Sequence, residues 1–304
     1  MDALMQALPF NAASIDGLSE KLINSHHANN YGGAVKRLNA IRATLAELPA
    51  ATAPNFTLNG LKREELIATN SMLLHELYFD CLGGNGEPEI AMKLALAANF
   101  GSYERWREEF IAMGKALGGG SGWVLLVFQP REGTLINQWA ADHTHAVAGG
   151  IPVLALDMYE HAYHMDFGAN AGAYVEAFMK VIDWKKVYAR FQRAAESASA
   201  HLVAHADALK SHPLVLDVRR KRVFEKANTT LPGAQWRDPD NVAEWCDSVP
   251  KDKPVLVYCI YGHEVGRSTA LALRARGIDA RVLEGGIDAW QREGRPTASK
   301  EALP

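Results

Sequence analysis

The sequence predicts two domains. The first is α+β, an N-terminal helical hairpin plus a small antiparallel sheet with helices. The second is a small α/β unit with a parallel sheet. Three observations lead there. A chain of 304 residues is about two domains by the usual length prior. Apolar residues recur at helical spacing as far as residue 116, and three apolar runs of strand length follow. From residue 213 strand and helix patterns alternate, which is how a parallel sheet is written.

In order, residues 14–49 carry helical spacing, with Leu18, Leu22 and His26 on one face and Val35, Leu38, Ile41 and Leu45 further on. Gly32-Gly33 is where that helix is expected to break or kink. A loop holding Pro54 precedes a second helix over 61–82, where His75 sits among Leu66, Leu73, Leu74 and Leu77. Residues 89–99 and 102–116 read as two more helices, the latter with Ser102 as N-cap. Trp123–Phe128, Thr134–Trp139 and Ile151–Leu156 are the strands, and 171–196 returns to helix. Residues 196–209 are rich in Ala, Ser and His and read as a linker or helical connector, dividing a domain at 1–195 from one at 210–304. His201 and His205, four apart, are read as a solvated helix face. In the second domain Leu214–Val218, Pro254–Tyr258 and Ala280–Leu283 read as strands, with helices over 267–276 and 286–292.

Composition narrows the function classes. Hydrophobic residues make up 48% and charged residues 22%, ordinary values for a globular protein. A net charge of −3 argues against bulk electrostatic binding to nucleic acid or an anionic membrane. No apolar run approaches the ~20 residues of a membrane helix. Met1–Phe10 lacks a basic stretch followed by an apolar one, so no secretory signal is expected and the expected compartment is the reducing cytoplasm. Cys81, Cys246 and Cys259 are too few and too scattered for a disulfide framework or a cysteine zinc site.

The chemistry gathers first at Asp157-Met158-Tyr159-Glu160-His161-Ala162-Tyr163, directly after the third strand. Ionisable groups at the end of a buried strand are costly unless paired or metal-bound. A carboxylate and an imidazole four residues apart suit Fe, Mn or Zn. His26 and His75, on separate helices, bring the set to three imidazoles and one carboxylate.

These landmarks, with Leu8-Pro9-Phe10, His26-His27 and Gly120-Ser121-Gly122-Trp123, make residues 1–195 resemble the iron/manganese superoxide dismutase family. The resemblance implies His26, His75, Asp157 and His161 as ligands of one iron or manganese ion per subunit, and superoxide as substrate. It implies a homodimer in which Glu160 bridges to the partner's His161. It also implies an outer group hydrogen-bonded to metal-bound solvent. His143 is the candidate, His145 its rival, and the alternative location holds Ser71. The chain departs from the family pattern around the substrate funnel. Ala34 and Asn30 stand where a tyrosine and a histidine are usual, His164 replaces a tyrosine, and Tyr159 replaces a tryptophan. Tyr31, Tyr163 and His164 are the candidate replacements, with Tyr163 taken as catalytic.

The second gathering is Cys259, at the end of an apolar strand and ahead of a glycine-bearing loop and a helix. Loop amides and a helix N-terminus stabilise a thiolate. Leu216-Asp217-Val218-Arg219, Leu231-Pro232-Gly233-Ala234, Val257-Tyr258-Cys259 and Leu283-Glu284-Gly285-Gly286 make residues 210–304 resemble a single-domain rhodanese. That implies Cys259 as a sulfur-accepting nucleophile, with thiosulfate or a persulfide as donor, and Asp217 and Arg219 as scaffold. The loop departs from the pattern as well: Glu264 holds the position of the usual arginine, and the nearest basic residue is Arg267. The combined expectation is a dismutase with an attached sulfurtransferase, serving oxidative-stress defence. The alternative is a dimerisation scaffold carrying a sulfurtransferase or anion-sensing module.

Overall fold

In the computed structural model, which describes residues 2–211 and 213–300, the two units share one interior. The expected end of the second domain at 304 lies outside the described residues. The N-terminal unit begins with α1 (Glu20–Ser25), capped by Ser19, whose hydroxyl accepts the Leu22 amide at 3.1 Å. The helix does not break at Gly32-Gly33. It widens one turn earlier into a π segment, His26–Tyr31, and runs on as α2 (Gly32–Glu47). After the loop at Pro54, α3 (Asn55–Asp80) starts six residues ahead of the sequence expectation and packs along α2 through Leu38, Ile41 and Ala68. α4 (Ile90–Phe100) and α5 (Tyr103–Ala116) follow, α5 opening on the expected Ser102 cap.

The sheet has β1 (Trp123–Gln129) at its centre, antiparallel to β2 (Thr134–Ala140) and β3 (Ile151–Asp157). β1 is apolar and buried along nearly its whole length because helices and strands cover both faces. After β3 come the one-turn α6 (His164–Phe167), then α7 (Ala171–Lys180) and α8 (Trp184–Ser199). The sequence suggested a single helix over 171–196. The break at Val181–Asp183 exists because this backbone is used elsewhere: the Gly84 amide bonds Val181 O at 3.0 Å and the Asp183 amide bonds Cys81 O at 2.7 Å. Gly84 makes this approach possible, since a Cβ there would fall 2.2 Å from Ile182 O.

The connector differs from expectation. α8 ends at Ser199, and Val203–Ala204 forms β4, an edge strand of the second sheet paired with β9 (Ala280–Leu283). His201 and His205 therefore share no helix face, and His205 pairs with Glu284 instead. Beyond it lie β5 (Leu214–Asp217), α9 (Lys221–Lys226), β6 (Thr229–Thr230), β7 (Gln235–Trp236), α10 (Val242–Trp245) and β8 (Val255–Tyr258). α11 (Glu264–Ala275) leads back to β9, and α12 (Gly286–Arg292) and β10 (Ala298–Ser299) close the fold. The sheet is parallel throughout, in the order β4-β9-β8-β5-β7. α11 packs on α8, and one apolar cluster runs from Phe128 and Phe191 of the first unit to Val257 and Val282 of the second.

Candidate metal centre and thiol site

Four side chains from four separate places in the chain meet inside the first unit. His26 opens the π segment, His75 lies near the end of α3, Asp157 is the last residue of β3, and His161 sits in the tight turn Glu160–Ala162. Their ligating atoms all lie within 4.8 Å of one another. The Nε2 atoms of His26, His161 and His75 stand 3.1, 3.2 and 3.4 Å from Asp157 Oδ2. His26, His75 and Asp157 are buried, while the His161 side chain keeps 25% of its surface exposed.

The donor set fits a cation. His75 Nδ1 donates to Ser71 O at 2.6 Å, which fixes the tautomer and leaves the Nε2 lone pair facing inward. That Nε2 is 3.3 Å from Nε2 of His161. Lone pairs converging on a carboxylate repel one another unless a positive ion lies among them. Three imidazoles and one carboxylate are the donors of iron or manganese rather than of calcium or magnesium. Burial holds His26 below the ordinary histidine range and His75 at about 3, so both imidazoles stay neutral. Burial works to raise the Asp157 carboxyl, but His161 and His26 outweigh it and hold the group ionised.

A ring of aromatic side chains surrounds the four. Trp123 meets His75 edge-on at 5.3 Å. Its indole N–H donates to His143 Nδ1 at 3.0 Å, and the His143 ring stacks on Tyr159 at 4.8 Å, which stacks in turn on His161 at 5.4 Å. His145 lies apart, accepting the Ala141 amide and lying tilted against the exposed Trp139 at 5.5 Å. Of the two rivals for the outer position, the geometry thus brings only His143 beside the ligands. A His143→Ala variant is expected to lose about 10- to 100-fold in metal affinity or turnover, the usual cost of removing an outer support. His145→Ala should leave both near wild type, and equal losses in the two variants would contradict this assignment.

Cys259 follows β8 and is buried at 6% exposure. Gly266, in the first turn of α11, backs onto it, and a Cβ at that position would lie 3.4 Å from Sγ. Burial pushes the thiol up, the Gly266 amide pulls it down, Glu264 pushes it up, and the amides of Gly262 and His263 lower it again. Gly262 has φ +70°, a conformation that favours glycine. Beneath the loop, Asp217 accepts Arg219 Nε at 2.9 Å and the Tyr258 hydroxyl at 2.6 Å, all in the interior. Cys81 and Cys246 are also free and buried.

Comparison with known proteins agrees with both family resemblances. Residues 88–190 match the model of the C-terminal domain of iron/manganese superoxide dismutases, and residues 200–293 match a rhodanese-like domain. A "Superoxide dismutase [Fe]" of Cupriavidus metallidurans is 68% identical over 190 residues, which cover 62% of this chain and 96% of that protein. A "Superoxide dismutase [Mn] 1" of Halobacterium salinarum is 36% identical, covering 62% of this chain and 94% of its own length. A "Superoxide dismutase [Fe]" of Aquifex pyrophilus is 32% identical, covering 62% and 90%. The chain belongs to the iron/manganese superoxide dismutase family.

Within this dismutase domain the π segment bears on the departures seen in the first helix. Its wider turn admits an extra residue and brings Tyr31, five residues after His26, inside beside the candidate metal ligands. The Tyr31 ring lies 5.3 Å from His27 and 6.5 Å from His75. Its hydroxyl accepts the Gln6 amide at 2.7 Å and donates to Glu76 at 2.9 Å, and burial pushes it up to about 12. With Gln6, His27 and Glu76 it lines a cavity of about 240 Å³. Tyr163 is not placed as expected. Its ring is buried against Tyr174 at 5.4 Å, Tyr174 donates to Tyr78, and only Tyr78 reaches a ligand, His26. His164 is exposed. Neither Tyr31's partner Glu76 nor the Glu264 contacts described below carried a signal in the sequence, because each partner lies far away along the chain.

Proposed function

We propose that the dismutase domain converts superoxide to oxygen and hydrogen peroxide at His26, His75, Asp157 and His161, and that the rhodanese-like domain carries sulfane sulfur on Cys259. The convergence of three inward Nε2 atoms on one buried carboxylate oxygen carries the first part. These four residues would hold iron or manganese, which would supply the one-electron redox chemistry that dismutation needs. Two protons are consumed for each peroxide formed. His143, held by Trp123, orients solvent at the ligands, and Tyr31, held by Gln6 and Glu76, presents a hydroxyl at the funnel.

Glu160 is exposed beside the partly open His161, which fits a homodimer in which Glu160 reaches the partner's His161. Three free thiols fit the reducing cytoplasm. No helix among the described residues is long and apolar enough to cross a membrane.

In the second domain the donor is a persulfide rather than thiosulfate. Arg267 is the arginine nearest the loop, but its Nε donates to Gly262 O at 2.8 Å and its Nη1 to Ser199 Oγ at 3.0 Å, while its Nη2 lies 3.8 Å from Glu196 Oε1, so the guanidinium is engaged with α8 and the loop carbonyl rather than presented to a dianion. The Cys259 thiolate attacks the outer sulfur of R–S–SH, the S–S bond to R breaks, and RS⁻ leaves with the electron pair.

The deciding experiment measures bound metal and superoxide dismutation on the purified chain, with persulfide transfer assayed in parallel. Stoichiometric iron or manganese is expected, with dismutation lost on chelation and regained on reloading. Cys259→Ser should abolish persulfide formation and leave dismutation intact. Metal-free protein of unchanged stability would leave only the scaffold reading.

A further inference from the structure

The arginine position of the thiol loop is held by a carboxylate that points out of its own domain. Glu264 is 6% exposed, so it is nearly sealed from water. Its Oε1 accepts the Tyr188 hydroxyl at 2.7 Å and its Oε2 accepts Gln192 Nε2 at 3.1 Å. Both partners belong to α8, the last helix of the dismutase domain. One turn on, Arg267 binds Ser199 Oγ and the Glu196 carbonyl on the same helix, and its Nε holds the loop carbonyl of Gly262. Gly266, which backs onto Cys259, lies between these two anchors. The β1–β2 turn presses on the same place, since a Cβ at Gly133 would fall 2.5 Å from Ser268 O.

A buried carboxylate stripped of its donors costs far more than an exposed one. The first turn of α11 is therefore tied to the dismutase domain. The amides of Gly262, His263 and Gly266 that meet the thiol belong to this same tied segment.

We propose that Tyr188 and Gln192, residues of the dismutase domain, are positioning residues for the Cys259 loop: by holding Glu264 they keep the Gly262, His263 and Gly266 amides on the thiol. The second domain's reactive loop is then completed by the first domain. This rests on the reading of Cys259 as the working thiol, but its test reads backbone and thiol behaviour, not sulfur transfer. The charged and titratable groups around the loop include Tyr261, His263, Glu264 and Arg267 on its own segment, Asp217, Arg219, Arg220 and Tyr258 at the adjoining strand ends, Tyr188 and Glu196 on α8, and Glu284 after β9.

The test is amide hydrogen exchange and Cys259 alkylation by iodoacetamide, followed by peptide mass, on the metal-loaded full chain. Two variants are compared with wild type, Y188F/Q192L and E264Q. Losing both donors to a buried carboxylate should speed exchange across residues 260–267 by about tenfold or more, with alkylation faster in proportion where the thiol is fully ionised. In E264Q the side-chain carbonyl still accepts from Tyr188. Exchange there should stay within about twofold of wild type, while the alkylation midpoint moves to lower pH because the opposing charge is gone. Dismutation should be equal in all three proteins. Unchanged exchange in Y188F/Q192L would overturn the proposal. So would acceleration spread over the whole second domain, or E264Q as loose as the double variant. A failure of sulfur transfer with these shifts intact would count against the Cys259 reading alone.

Discussion

His75→Ala is expected to strip the metal and lower dismutation by at least about 100-fold, beyond the 10- to 100-fold cost of losing an outer support. His75 offers the ligand atom whose tautomer is best determined, because Ser71 O takes its Nδ1 proton. Without it the remaining imidazoles and Asp157 leave a gap where α3 meets β3, and the set falls to two nitrogens and one carboxylate. Stability should follow. A ligand present at about 1,000 times its dissociation constant stabilises the folded state by about 4 kcal/mol. The wild-type protein should therefore melt well above the variant, and chelation should bring the two close together. Metal content, dismutation rate and melting temperature on the same samples provide the check. A variant that keeps stoichiometric metal and full activity would remove His75 from the centre.

Asp217→Ala is expected to destabilise the rhodanese-like domain by about 3–5 kcal/mol, the usual cost of removing one partner of a buried ion pair. Asp217 is fully buried and accepts Arg219 Nε, the Arg219 amide at 3.0 Å and the Tyr258 hydroxyl at 2.6 Å. Its loss leaves the Arg219 guanidinium, only 5% exposed, with Thr229 O at 2.9 Å as its remaining acceptor. It also frees the end of β8, one residue before Cys259. Denaturant unfolding should show the second domain opening first, with Cys259 alkylated under conditions where wild type is protected and dismutation retained until later. A change below about 1 kcal/mol would mean the pair is far better solvated than its burial implies.

The two sites differed in how much of each the sequence carried. The four candidate metal ligands were legible because each sits where local pattern marks it: His26 and His75 interrupt apolar helix faces, and Asp157 and His161 lie at or just after the end of a buried strand. The three strands of the antiparallel sheet, the cap at Ser102 and the parallel strands around Cys259 were legible for the same reason, since periodicity and capping act within a few residues. Three features were not. The π turn at His26–Tyr31 depends on one extra residue being absorbed inside a helix, and helical spacing alone placed the irregularity at Gly32-Gly33. The break between α7 and α8 depends on backbone bonds to Cys81 and Gly84, about a hundred residues upstream. The strand Val203–Ala204 is too short to signal itself and exists only because β9 is there to pair with.

The sequence by itself determined that this chain has two domains, which three histidines and one aspartate gather into a cluster that could hold a metal ion, and which cysteine ends a strand. Those are statements about residue type and local spacing. Only the tertiary structure decided that His143 and not His145 lies beside the candidate ligands, that Tyr31 lines a cavity with His27 and Glu76 while Tyr163 stacks on Tyr174, and that Glu264 faces α8. In each case the deciding interaction joins groups far apart in the chain, and its energy comes from burial and from hydrogen bonds that exist only once both partners are in place.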